Sequence, residues 1–362
     1  MGVPLYFYVI SQKYPNILTS QYPLTQQPDE LYLDYNGIIH QAAQEVIKNK
    51  LAQTGQKEAI ITNNEIIEAT WKLTQDIIAI VKPKNKTHIY IDGPCVIAKQ
   101  KQQRNRRYMG IFTAKLENRA IVWDTNAISP GTEFMNQLGD FIREQIKGNI
   151  SNKSNKSNKS NKSKISNNNI SDKFALSDSN EPGEGEHKMF HHICADPDDN
   201  KHIVIHGLDA DLIMLSLLSK KKNIILMRDN QFLNVAKLEE GIQCDFCFGQ
   251  DDTIDSYLVL CFLLGNDFLP NIACLQMRKN GLDAIISAYK KIRQNDAHLP
   301  LVVGDCIQLE TLGALFQELA KEEDDRFMAI NKEYLFLKPN TTVHSPESDP
   351  RYFPMVAQNK NP

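Results

Sequence analysis

Seven carboxylates in this 362-residue chain stand where an apolar run gives way to a turn: Asp34, Asp92, Glu184, Glu186, Asp209, Asp211 and Asp267. They come from five separate segments, YLDYN, IDGP, PGEGEHK, HGLDADL and LGNDF. Asp209 and Asp211 lie two apart, just after the β-branched run Ile203-Val204-Ile205. Two acids so close repel each other unless a cation sits between them. Hard divalent cations take oxygen ligands, and Mg²⁺ keeps several waters beside a few carboxylates. Two such ions ~4 Å apart hold both the attacking and the leaving oxygen of an in-line phosphoryl displacement. More than three acids at one rim therefore predicts two ions. A single acid in such a place is more often a helix cap or a turn residue. Repetition over five segments favours the shared cation site.

A basic stretch, Ala98 to Tyr108 (AKQKQQRNRRY), follows the Asp92 turn. On a helix, Lys99, Gln103, Arg106 and Arg107 share one face. Arginine forks bind phosphate bidentately and lysine adds a point charge. Such a face suits a terminal monophosphate, which has more charge and more free oxygens than an internal diester. His40 lies six residues after Asp34. On a helix leaving that turn it would face the same cleft and stack on a base.

The elements that must position these groups alternate between strand and helix, which predicts an α/β fold with a mostly parallel sheet. Strands are expected at 31–33, 88–91, 173–177, 203–205 and 223–227. Helices are expected at 5–14, 37–48, 65–81 (capped by Asn63 or Asn64), 129–146, 253–264 and 282–292, with a helix start at Glu184 and Glu186. A loop is expected at 53–57. In open sheets of this kind, ligands bind outside the carboxyl ends of the strands. The repeat SNKSNKSNKSNK breaks the pattern and buries nothing. One domain is expected over 1–337, with 148–172 a disordered low-complexity insert and 338–362 a tail or connector.

Composition narrows the class. Apolar residues make up 41% and charged residues 23%, as in ordinary globular chains, and no apolar run reaches the ~20 residues of a membrane span. No membrane partner is expected. The N-terminus has neither a basic n-region nor a cleavage signal. Seven cysteines, an odd number without a secretory signal, predict reduced thiols in the cytoplasm or the nucleus. Cys244 and Cys247 form a lone CxxC with no second pair, which reads as thiols rather than a zinc site. The net charge of −3 is unusual for a nucleic-acid binder, but residues 148–169 hold five lysines and no acid, and the seven acids account for most of the remaining negative excess.

At these residues the chain resembles the N-terminal conserved region of the Xrn/Rat1 family of 5′-to-3′ exoribonucleases. The resemblance is carried by MGVP, YLDYNGIIH, IDGPCVIAKQKQQRNRR, ISPGTEFM, SDSNEPGEGEHK, HGLDADLIML and LLGNDFLP, in the family's order, over about Met1 to Ala288. It implies a PIN/FEN-like nuclease fold, with two Mg²⁺ (or Mn²⁺) ions as cofactors. It implies stepwise hydrolysis of single-stranded RNA with a 5′-monophosphate, releasing nucleoside 5′-monophosphates. By motif position, Asp34, Asp92, Glu184, Glu186, Asp209, Asp211 and Asp267 take the metal-binding and catalytic roles. Lys99, Gln103, Arg106 and Arg107 take the 5′-phosphate pocket, and His40 the base-stacking role. Family members carry a second conserved region beyond a linker, so a second chain or a missing C-terminal region is expected to complete the substrate channel.

Two other functions share parts of this pattern. A flap-type structure-specific DNA nuclease has the same acid cluster, but resembles its relatives in a glycine-rich helix-hairpin-helix after the Gly-x-Asp segment. Residues 268–281 here read FLPNIACLQMRKNG. A non-catalytic RNA-binding scaffold derived from a nuclease would be expected to lose site acids, and none is lost.

Overall fold

The computed structural model describes residues 3, 5–22, 27–54, 60–117, 121–154, 173–229, 231–246, 253–295 and 300–336. In chain order the elements are α1 (Tyr6–Lys13), β1 (Leu18–Thr19), β2 (Glu30–Asp34), α2 (Tyr35–Thr54), α3 (Asn63–Val81), β3 (Lys86–Tyr90), α4 (Ile97–Leu116) and α5 (Glu133–Ser154). They continue with β4 (Phe174–Ser177), α6 (Gly185–Ala195), β5 (Ile203–His206), α7 (Asp211–Leu218), β6 (Ile224–Arg228), β7 (Gln231–Asn234) and α8 (Val235–Phe246). The last are α9 (Thr253–Phe262), α10 (Gly281–Asn295), the short pair β8 (Val302–Val303) and β9 (Cys306–Ile307), α11 (Leu309–Ala320) and α12 (Glu323–Phe336).

The main sheet has seven strands in the order β1-β7-β6-β5-β2-β3-β4. The five strands from β6 to β4 run parallel, and β7 and β1 close one edge antiparallel. This is the α/β, mostly parallel architecture that the alternating pattern predicts. Buried parallel strands must be apolar on both faces. Alternation splits their side chains: Leu31 and Leu33 pack with α2, α3 and α5, whereas Tyr32, Ile203 and Ile205 pack with α1 and α6–α10. The chain order moves outward from β2 through β3 to β4 on one side and through β5 to β6 on the other. The direction of winding reverses between β2 and β5, so the carboxyl edge there is the topological switch point.

Several boundaries differ from the sequence expectations. α2 begins at Tyr35, directly after Asp34, and runs to Thr54. It therefore covers the start of the expected 53–57 loop, whose residues 55–57 lie outside the described residues. The cap of α3 is Thr62, not Asn63 or Asn64. Thr62 Oγ1 accepts from Glu65 N while Glu65 reaches back to Thr62 N, a capping box that satisfies two orphan donors at once. α5 starts at Glu133 and continues through 148–154, the beginning of the expected insert, because extending a formed helix is far easier than nucleating one. Residues 155–172, Cys247 and the tail 338–362 lie outside the described residues. α9 ends at Phe262, and Gly265 in the turn beyond it has φ +88°. Elements β7, α8, α11 and α12 were not expected. No helix among the described residues is long and apolar enough to cross a membrane.

Candidate active site

The seven acids gather at the switch-point edge. Asp34 is the last residue of β2, and Asp92 lies two residues past β3. Glu184 stands at the N-cap of α6 and Glu186 in its first turn. Asp209 lies in the turn after β5, Asp211 opens α7, and Asp267 follows the Gly265 turn. Parallel strands all end on one side, so each strand-to-helix turn delivers its acid to the same edge.

Close backbone approach makes this possible. Gly207, just past β5, lies against Asp34: a Cβ at that position would overlap Leu212 Cδ1 and press on Asp34 Cβ at 3.1 Å. Gly93 packs on the carbonyl oxygen of Glu181, where a side chain has no room. This contact holds the turn after β3 against the turn before α6.

Neighbouring polar groups fix individual acids. Asn36 Nδ2 donates to Asp92 Oδ2 at 2.9 Å, and Asp92 N donates to Asn36 Oδ1 at 3.0 Å. Gly185 N donates to Asp92 Oδ1 at 2.6 Å. Gln102 Nε2 donates to Asp267 Oδ1 at 2.6 Å. Asn266 Oδ1 accepts from Phe268 N and Leu269 N, at 2.9 and 2.7 Å, which sets the turn carrying Asp267. Asn36, Gln102 and Asn266 were not singled out in the sequence. Gln102 and Asn266 each adjoin a predicted site residue and Asn36 lies two past Asp34, which is the available signal.

Burial and mutual repulsion raise several of these acids. Burial lifts the Asp34 carboxyl to about 8, and the charges of Asp92 and Asp209 add to the shift, with Lys99 offsetting it. Burial likewise lifts Glu186, reinforced by Asp211, Asp34 and Glu184. Asp92 is raised by burial and by Glu184 against the pull of Gly185 N–H. Asp211 is raised by burial, with Asp267 and Asp209 contributing. Acids that push one another's protonation upward across five turns share one neighbourhood. Among the described residues, no three acid, histidine or cysteine side chains already converge as the ligands of one ion. Three of these acids, Glu184, Glu186 and Asp267, lie instead around a lysine.

That lysine is Lys99, in the first turn of α4. Its ammonium donates to Glu184 Oε2 and lies 3.2 Å from Asp267 Oδ2 and 4.0 Å from Glu186 Oε1. The sequence grouped Lys99 with a phosphate-binding face, and the structure sets its head among the acids. Gln103, Arg106 and Arg107 continue outward along α4. Arg107 Nη2 donates to Gln103 Oε1 at 3.4 Å, and both arginines are exposed. His40, on α2, is half-buried. Burial and the nearby Arg106 charge hold its pKa below the ordinary histidine value, with Asp209 opposing. His40, Arg106 and Asp209 therefore lie near one another, which joins the basic face of α4 to the acid edge.

The donor set suits hard divalent cations: it is all oxygen, partly buried, and carries more negative charge than Lys99 offsets. A basic face within reach of such acids is equipped to hold a phosphate end while a phosphodiester lies over the hollow.

The family model described as "XRN 5'-3' exonuclease N-terminus" matches residues 1–230. A second, described as "Xrn1 helical domain", matches residues 247–342, which carry α9–α12. The chain is 26% identical to "5'-3' exoribonuclease 2" of Kluyveromyces lactis over an alignment covering 99% of this chain and 42% of that protein. It is 26% identical to the protein of the same name from Saccharomyces cerevisiae, over 90% of this chain and 39% of that one. The chain thus spans about two-fifths of the length of the curated relatives it matches. A crystal structure titled "Crystal Structure of T5 D15 Protein Co-crystallized with Metal Ions" overlaps with a TM-score of 0.37 and 10% identity, covering 84% of this chain and 95% of that one. With a family model matching well over half its length, this chain belongs to the XRN 5′-3′ exonuclease family.

Proposed function

We propose that this chain is a metal-dependent 5′-to-3′ exoribonuclease that removes nucleoside 5′-monophosphates, one at a time, from single-stranded RNA bearing a 5′-monophosphate. The observation that supports this reading is that the turns carrying the seven acids stand at one sheet edge, with Lys99 of the basic α4 in contact with Glu184 and close to Asp267. The relatives' printed name, 5′-3′ exoribonuclease, supports the direction and the substrate class.

Asp34, Asp92, Glu184, Glu186, Asp209, Asp211 and Asp267 would hold two Mg²⁺ or Mn²⁺ ions, which when bound supply a water of lowered pKa and neutralise charge on the leaving 3′-oxygen. The chain's own side chains do the rest. Gln103, Arg106 and Arg107, joined by Lys99, bind the terminal phosphate and set the reach from the 5′ end to the scissile bond. His40, half-buried on α2, offers a flat face to the first base. Asn36 and Gln102 hold Asp92 and Asp267 in fixed orientation. A terminal phosphate has more free oxygens than an internal one, so the pocket selects ends over internal positions. A second chain or a further C-terminal region would complete the substrate channel. The cytoplasm, with the nucleus as the alternative, is the proposed location, by the cysteine count.

The test offers the chain 5′-phosphorylated RNA, 5′-hydroxyl RNA and a DNA flap, each with Mg²⁺. The reading expects mononucleotides from the 5′-phosphorylated RNA above all. Preferred cutting of the flap would replace it with a structure-specific DNA nuclease. RNA binding without cleavage under any divalent ion would replace it with a scaffold.

A further inference from the structure

Among the described residues, Lys99 is the most buried cation at this edge, only 7% exposed. Stripping an ammonium of water costs several kcal/mol unless ion pairs replace the lost hydration. Here they do: Glu184, Asp267 and Glu186 surround the Nζ, on turns from two distant parts of the chain. These three acids also belong to the set read above as cation ligands. The same oxygens cannot serve both partners. A divalent ion bound at ~2.1 Å to a carboxylate oxygen that also touches the ammonium would bring two cationic centres within a few ångströms in a poorly hydrated hollow.

The lysine has somewhere to go. Its four-carbon stem is flexible. Val96, Ile97 and Ala98, at the start of α4, are exposed, so the first turn is not packed in on that side. Gln103 and Arg106 follow Lys99 at the spacings i+4 and i+7, so a displaced ammonium stays on the face they form. The exposed ring of Phe268 already lies 5.9 Å from the Nζ.

We propose that Lys99 is an exchangeable internal counter-ion, whose ammonium neutralises Glu184, Glu186 and Asp267 in the metal-free protein and is expelled toward the basic face of α4 when a divalent cation loads. This rests on the reading of those acids as cation ligands. Two consequences follow. The metal-free hollow is spared part of its self-repulsion, and cation affinity is set by competition with a tethered charge. Expulsion also adds a positive charge to the phosphate-binding face, so by reciprocity a bound phosphate end favours the loaded state.

The experiment compares the full chain with its Lys99→Met form, using Mn²⁺ binding followed by electron paramagnetic resonance and thermal melting with EDTA or saturating Mn²⁺. Removing the competitor should tighten Mn²⁺ binding about tenfold. Lys99→Met should melt below the wild type in EDTA, and the gap should close in Mn²⁺. Unchanged or weaker Mn²⁺ binding by Lys99→Met, while the wild type binds normally, would overturn the exchange and leave the cation-ligand reading standing. No Mn²⁺ binding by either form would overturn both. Should Lys99→Met fail to fold, amine acetylation of the wild type, read by mass spectrometry, decides the matter. Lys99 should be protected in EDTA and become labelled in Mn²⁺, and protection in both would overturn the proposal.

Discussion

Asn36 and Asp92 hold each other through two hydrogen bonds, one from the Asn36 amide to the Asp92 carboxylate and one from the Asp92 backbone N–H to the Asn36 carbonyl oxygen, at 2.9 and 3.0 Å. The pair ties the first turn of α2 to the turn after β3. With Gly185 N donating to the other carboxylate oxygen, it fixes the orientation of the Asp92 side chain. Groups that orient ligating carboxylates typically change metal affinity or activity by 10–100-fold when removed. Asn36→Ala is therefore expected to raise the Mg²⁺ concentration needed for half-maximal RNA cleavage by about tenfold. Its circular dichroism spectrum should match the wild type. The check is a Mg²⁺ titration of mononucleotide release.

Gly207→Ala tests the close approach of β5 to β2. A methyl group there collides with Leu212 and crowds Asp34. Overpacking of this kind costs about 1–3 kcal/mol. The variant should lose that much stability in urea unfolding. It should also lose activity at Mg²⁺ concentrations that saturate the wild type, because Asp34 is pushed out of place.

Arg106→Ala probes the basic face. Arg106 is exposed on α4, and its charge helps to hold the pKa of His40 below the ordinary value. A charge-assisted hydrogen bond is worth about 1.5–3 kcal/mol, or roughly tenfold and more in binding. The preference for 5′-phosphorylated over 5′-hydroxyl RNA should fall by that factor. An unchanged preference would remove Arg106 from the phosphate pocket.

Glu30 gives a pH dependence away from the site. Tyr32 Oη and Lys201 Nζ donate to it at 2.8 and 3.0 Å, and His88 Nε2 lies 3.3 Å away. Burial works to raise the Glu30 carboxyl, but the contacts to His88, Tyr32 and Lys201 outweigh it and hold the pKa at about 2. A carboxyl depressed in the folded state adds stability above its ordinary value near 4.5, and that stability is lost as pH falls toward 2. The contribution is on the order of 3 kcal/mol. Acid unfolding between pH 4.5 and 2 should therefore be less steep in Glu30→Gln, which should be less stable at neutral pH. Urea melts across that range provide the check.

Much of this site was legible because β-strand ends announce themselves. Ile203-Val204-Ile205 is apolar on both faces, as expected of a buried parallel strand, and Leu31, Leu33, Ile89 and Ile91 mark the runs before Asp34 and Asp92 although Glu30, Thr87 and His88 interrupt them. The acid after each run is then placed by topology alone. The direction of Lys99 was not legible. Helical spacing puts it on one face with Gln103 and Arg106, but its head is drawn to Glu184 and Asp267, which are distant in sequence and share no pattern with α4. The Thr62 cap was hidden by two asparagines beside it, both good cap residues. Helix α12 opens with Glu323, Asp324 and Asp325 and lacks a broad apolar stripe, so little besides an acidic first turn marked it.

The most direct measurement is Mg²⁺-dependent release of nucleoside 5′-monophosphates from 5′-phosphorylated RNA, by the wild-type chain and by Asp209→Asn. The account predicts mononucleotide product from the wild type, none in EDTA, and loss of product in Asp209→Asn with its melting temperature retained. Undiminished release by Asp209→Asn, or by the wild type in EDTA, would contradict it.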